Sequence, residues 1–351
     1  MNIVFSTTRQ WNPGDEFILM GCINLLAQHL GDFNPIIYNR NPQIRRARKF
    51  DIIKAIDNAA GKDFVEKFLD NSVKDRTPMD YADMVVFAGS PEWRGRRMEK
   101  LYASVLEFGL PSLFLGIGTS GKFAFTGEYF TKSEQDVFNQ ALLITTRDED
   151  TQAGLQPLEA HHLPCPALFS SQNTRVVKGV KRIGLMYGTD SAVACNNVSS
   201  NTYRYMMEAY CNILRDYGDE YEIEFVSHYI DELSSFKQDF PDRTIRYSYD
   251  AKDYLAIYDR YDLVIGYRVH GIGISASMGI PGIMLAHDPR ASTVKGFCAE
   301  MVNIGTEYDE LKALIDDTIA TIEEKSLALQ AHKEATREKY LALFDRQVRL
   351  P

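Results

Sequence analysis

Short apolar runs alternate with longer, mixed stretches along nearly the whole chain. Runs at 2–6, 36–38, 84–88, 112–116 and 142–146 have strand length, as do 182–187, 222–227, 245–248, 263–267 and 282–286. Helices are expected between them. The first follows residues 12–15, with Ile18, Cys22, Leu25 and Leu26 on one face and Gly31 as its stop. Others are expected at 203–217, 254–261 and, charged on one side, 306–344. Residues 41–80 are charged and mostly helical, with Arg45, Arg46, Arg48 and Lys49 on a solvated face. The polar segment 171–181 has no such pattern and reads as a linker. Strand–helix alternation on both sides of it predicts α/β architecture with two parallel sheets.

The most compact unit lies late in the chain. The apolar run 263–267 leads into Arg268-Val269-His270, a small-residue segment at 271–278 reads as a helix, Gly279-Ile280-Pro281 breaks it, and 282–286 is the next strand. His287, Asp288 and Arg290 follow. In open α/β sheets, ligands bind outside the carboxyl ends of the strands. Two neighbouring strand ends therefore offer two guanidinium forks and imidazoles to one edge. That set suits an anion, because Arg matches carboxylate and phosphate geometry. Taken singly, Arg268 could pair with a nearby Asp and His270 could cap a helix; taken together, they favour a ligand.

Composition narrows the class. The chain has 351 residues, 45% of them hydrophobic, enough for two domains with real cores. A net charge of −9 argues against a nucleic-acid partner. No apolar run has the length of a bilayer span, and the first residues lack a signal-peptide pattern. Five scattered cysteines without CxxC read as free thiols in a reducing compartment. The expectation is a cytoplasmic protein with at most peripheral membrane contact.

Other loops carry chemistry of their own. Asn12-Pro13-Gly14-Asp15 precedes the first helix, where backbone N–H groups suit an oxyanion or a sugar hydroxyl; Asp15 as a simple N-cap is the competing reading. After the strand at 84–88, Ser90 and Trp93 stand in a loop with Arg94, Arg96 and Arg97. A Trp among arginines suits a ring-stacking acceptor site, or an ordinary surface loop. Gly116-Ile117-Gly118 permits close backbone approach. Arg147 ends the strand at 142–146, with Asp148 beside it as a candidate ion-pair partner. His161-His162 lacks further ligands at metal spacing, so no metal site is expected, and Cys165-Pro166 reads as a turn.

These motifs together resemble the polysaccharide pyruvyl transferase family. The resemblance is carried by Asn12-Pro13-Gly14-Asp15-Glu16, the strand and loop at 87–90, Gly116-Ile117-Gly118 and Thr146-Arg147-Asp148. It is most specific in Arg268-Val269-His270-Gly271, Gly279-Ile280-Pro281 and Asp288-Pro289-Arg290. Ser90 stands where the family has part of a glycine pair, Cys165-Pro166 where it often has Asp-Pro, and Arg290 where Lys is usual. The resemblance implies two Rossmann-like domains facing a cleft, similar to GT-B glycosyltransferases. Residues 1–175 would form the acceptor side and 180–305 the phosphoenolpyruvate side, with helices of 306–351 packing back on the first domain. It implies transfer of pyruvyl from phosphoenolpyruvate to two hydroxyls of a nucleotide- or lipid-linked sugar, without a cofactor. Arg147, Arg268, Val269, His270 and Arg290 would hold phosphoenolpyruvate; Asn12, Gly14, Asp15, Ser90 and Trp93 would meet the acceptor. His270 would be the proton donor, its pKa lowered by Arg268 and raised by the bound anions. His228 and His287 are the next candidates for that acid. A nucleotide-sugar glycosyltransferase, or a non-catalytic binding relative, fits the same architecture.

Overall fold

The computed structural model describes residues 1–8, 12–40, 79–90, 93–95, 98–119, 121–192 and 198–348. Most of the charged stretch 41–80, with its four basic residues, lies outside them, as do Arg96, Arg97 and Cys195.

Apolar runs, buried on both faces in the central strands and partly exposed at the edges, build two six-stranded parallel sheets. The first contains β1 (Asn2–Thr7), β2 (Asn34–Asn39), β3 (Met84–Ser90), β4 (Ser112–Ile117), β5 (Leu143–Thr146) and β6 (His161–His162) in the order β2-β1-β3-β4-β5-β6. The second contains β7 (Arg182–Met186), β8 (Glu222–Val226), β9 (Ile245–Arg246), β10 (Leu263–Gly266), β11 (Gly282–Ala286) and β12 (Glu300–Asn303) in the order β12-β11-β10-β7-β8-β9. Strand order reverses at β1/β3 and at β7/β10. Such reversal points open crevices at the carboxyl ends of strands. All ten expected strands form. The expectation missed β6 and β12, both short strands at sheet edges.

The helix Pro13–Leu30 joins the halves. Asn12 caps it by accepting from Gly14 N–H at 3.0 Å, so Asn12 and not Asp15 is the N-cap. Its first turns are buried on every side: Phe17 packs edge-on to His228 of the second half, and Gly21 lies so close to Pro166 that a Cβ would meet the Pro166 carbonyl at 1.7 Å. One continuous apolar core runs from Ile3 and Phe5 through Phe17 to Val264 and Ile283.

The segment after the first sheet is anchored rather than loose. The ammonium of Lys333, on the C-terminal helix Ile322–Gln347, donates to Ser171 O, Thr174 Oγ1 and Ser277 O at 3.0, 3.1 and 2.5 Å. The same helix reaches the first half: Tyr340 donates to Pro164 O at 2.9 Å, and Asp345 pairs with His29 at 3.0 Å. Of the C-terminal helices, Ile322–Gln347 thus packs back on the first half, whereas Tyr308–Ala320 lies against Ser200–Tyr217 of the second, where Tyr217 donates to Asp316 at 2.6 Å. No helix among the described residues is long and apolar enough to cross a membrane.

Candidate active site

The carboxyl ends of the two sheets face each other. β10 ends at Gly266, Tyr267 follows it, and Arg268, in extended conformation, is the N-cap residue of the helix Val269–Ser277. Val269 and His270 therefore open the helix, where the sequence pattern set them ahead of it. The small residues explain the early start. Gly271 lies against Met186 Sδ and Tyr258 Oη, at 2.5 and 2.6 Å from where a Cβ would stand, so the helix docks tightly onto its own sheet. Its first N–H groups, Val269's among them, have no intrahelical acceptor.

His270 is held from the opposite half. Arg147, directly after β5, brings Nη1 to 3.0 Å from His270 Nε2. A guanidinium only donates, so Nε2 accepts and the proton of the neutral ring sits on Nδ1. Nδ1 faces the start of the first helix, where a Cβ on Gly14 would come within 2.7 Å of it. Gly118 likewise leaves room for Arg147, whose Nε is 2.3 Å from where its Cβ would be. Enclosure pushes the His270 pKa well below its usual value, and the charges of Arg147, Arg290 and His228 push the same way. The expected lowering is present, but Arg147 and Arg290 supply the charge that Arg268 was expected to supply. Arg268 is neutralised by a carboxylate of its own.

That carboxylate is Glu232, fully buried. Arg268 Nη2 donates to Glu232 Oε1, and the guanidinium lies between the rings of Tyr229 and Tyr267, at 4.4 and 4.5 Å from their centroids. Burial opposes the charge on Arg268, but Glu232 and the two tyrosines outweigh it and raise its pKa. Arg290 is gripped by Asp288, with Nε and Nη2 donating at 3.1 and 2.5 Å. His287 lies 3.2 Å from the same carboxylate and against Tyr267. Burial works against the Asp288 charge, yet Arg290 outweighs it and lowers the pKa. Around His270, Arg147 Nε, Arg268 Nε and Arg268 Nη1 are buried without a hydrogen-bond partner.

The first half's expected acceptor residues divide. Gly14 reaches His270. Asn12 is committed to the helix cap, and Asp15 is buried with Arg40 Nη2 at 3.6 Å. Ser90 is the last residue of β3. Trp93 corrects the expectation: it is 1% exposed and enclosed by Phe123, Phe130 and Phe138, with Nε1–H donating to Gly118 O at 2.7 Å. Arg94 covers that cluster from outside, 5.3 Å from the Trp93 ring. An indole so packed offers no face to a sugar. Arg147 also corrects a reading: it turns to His270, while Asp148 caps the helix Glu149–Gly154 through Thr151 N–H at 2.7 Å. His228 donates to or accepts from Tyr258 Oη at 2.7 Å and is buried, and its pKa is pushed well down by burial and then by Arg268. Sequence reasoning missed Glu232, Tyr229 and Arg40.

Two parallel α/β halves meeting at their strand ends, with guanidinium groups around a neutral imidazole, define a two-domain α/β protein of the GT-B type with a cleft lined by guanidinium groups. A sequence model described as polysaccharide pyruvyl transferase matches residues 12–289. The chain belongs to the polysaccharide pyruvyl transferase family. No curated protein matches it. Solved structures share the fold at low identity. The S. aureus MnaA–UDP co-structure has a TM-score of 0.51 at 12% identity, covering 93% of this chain and 90% of that one. UDP-GlcNAc 2-epimerase from Methanocaldococcus jannaschii with UDP-GlcNAc and UDP scores 0.51 at 10% identity, over 91% and 93%. The glycosyltransferase SnogD from Streptomyces nogalater scores 0.50 at 13% identity, over 99% of each.

Proposed function

We propose that the protein transfers a pyruvyl group from phosphoenolpyruvate to two hydroxyls of a nucleotide- or lipid-linked sugar, closing a cyclic ketal. One observation carries this: Arg147 and Arg268 hold unpartnered, buried N–H groups beside a neutral His270, in the cleft of a family member. Buried donors without acceptors are costly, and a ligand bearing both carboxylate and phosphate would satisfy them. Arg147, Arg268, the Val269 backbone and Arg290 take the anionic ends, and His270 the vinyl carbon. The start of the first helix, at Gly14, faces the acceptor.

Drawing Arg147 onto a ligand oxygen frees His270 Nε2. The anions then raise the ring's pKa, and the ligand charges its own acid. His270 protonates the vinyl carbon, leaving a cationic centre next to it. One hydroxyl adds there and returns a proton to the neutral ring. The carbon–oxygen bond to phosphate breaks, the second hydroxyl closes the ring, and its proton leaves with phosphate.

The test is phosphate release from phosphoenolpyruvate with a panel of nucleotide- and lipid-linked sugars, nucleotide sugars serving as rival donors. Arg268→Lys keeps the charge but loses the fork, and KM for phosphoenolpyruvate should rise about tenfold, or ~1.4 kcal/mol. Equal KM values would remove Arg268 from the donor site. Turnover of a nucleotide sugar without phosphoenolpyruvate would replace the reading.

A further inference from the structure

Glu232 sits in a short turn after β8, remote in sequence from Arg268, yet its carboxylate is built into the cleft. Oε2 lies 2.7 Å from the Ser227 hydroxyl and accepts from the N–H groups of His228 and Tyr229 at 3.3 Å each. Oε1 accepts from the Tyr267 hydroxyl at 3.2 Å and from Arg268 Nη2. Both oxygens are thus engaged, so the carboxylate is fixed by backbone on one side and fixes the guanidinium on the other. The rings of Tyr229 and Tyr267 lie against that guanidinium. A buried Arg with one nitrogen tied and two nitrogens unpartnered is aimed, not merely neutralised.

We propose that Glu232 is a positioning residue for the donor site, setting where Arg268 presents its free N–H groups. This rests on the reading of phosphoenolpyruvate as the donor. Glu232 does not touch the ligand; it acts through Arg268. Its loss should therefore fall on donor affinity and leave acceptor affinity alone. Effects of groups acting as one unit do not add, so the double variant should behave like the Arg268 variant.

The experiment compares wild type, Glu232→Gln, Arg268→Lys, the double variant, and Tyr267→Phe, which keeps the ring and removes a single hydroxyl. Folding is checked by thermal denaturation. Calorimetric titration gives the phosphoenolpyruvate Kd, and steady-state rates give KM for each substrate. Glu232→Gln should raise the phosphoenolpyruvate Kd about tenfold with acceptor KM unchanged, and Tyr267→Phe should raise it two- to threefold. The double variant should be no worse than Arg268→Lys alone. Unchanged Kd in both Glu232→Gln and Tyr267→Phe, or additive losses in the double variant, would overturn the proposal. If Glu232→Gln fails to fold, Tyr267→Phe decides. Wild type without affinity for phosphoenolpyruvate would defeat the donor reading itself. Crystal structures of Glu232→Gln or Tyr267→Phe would then judge Glu232 alone: a guanidinium displaced from between the rings supports the role, and one unmoved refutes it.

Discussion

At His270, a hydrogen bond from Arg147 decides which ring nitrogen carries a proton. In the free protein the ring is neutral at pH 7, since its pKa lies well below the usual value. A group whose pKa rises on binding takes up a proton. Phosphoenolpyruvate binding near pH 7 should therefore absorb a proton, and affinity should fall as pH rises through the bound-state pKa. Calorimetry in buffers of different ionisation heat reads this directly; zero uptake would leave His270 uncharged throughout. His270→Gln should bind phosphoenolpyruvate nearly normally and lose turnover by roughly a hundredfold or more. The four cationic and imidazole positions were legible because each stands beside a predicted strand end. Glu232 was not, because its meaning lies in Arg268, and nothing local distinguishes it from Asp231.

Among the elements, strands were the easier to read: buried parallel strands are continuous apolar runs, while β6 has two residues, too few for any pattern. The loop carrying Trp93 was misread because an indole beside arginines looks the same on a surface as over a core. Its burial turns a binding expectation into a stability one. Trp93→Ala should cost about 3–5 kcal/mol, the scale for emptying a large aromatic site. Trp93→Phe, which keeps most of the packing, should cost less and leave acceptor KM unchanged. Denaturant titrations and steady-state kinetics separate these. A folded Trp93→Phe with sharply raised acceptor KM would restore the stacking role.

Across the whole molecule, the two sheets are not separate bodies joined by a thread. Their apolar interiors are continuous through the helix Pro13–Leu30, and the C-terminal helix ties the polar segment after β6 to both halves. Large apolar interfaces suppress independent motion. Scanning calorimetry should accordingly show one cooperative transition rather than two. Two well-separated peaks would mean that the shared core contributes little. The two-layered plan was legible in the alternation of strand and helix. The weld was not, since contacts between Phe17 and His228 or Gly21 and Pro166 depend on chain segments far apart in sequence.

The hydrogen bond from Arg147 to His270 also bears on how such a protein can change over generations. The histidine comes from one half and the arginine that sets its proton comes from the other, with Gly14 cut back to let the ring fit. Neither half is a transplantable module. A recombination event that imported a new first half, to gain a different sugar, would need to bring an arginine and a glycine matched to the resident histidine. Acceptor range should therefore drift by point substitution in the loops, and chimaeras joined within 171–181 should fold more often than they turn over.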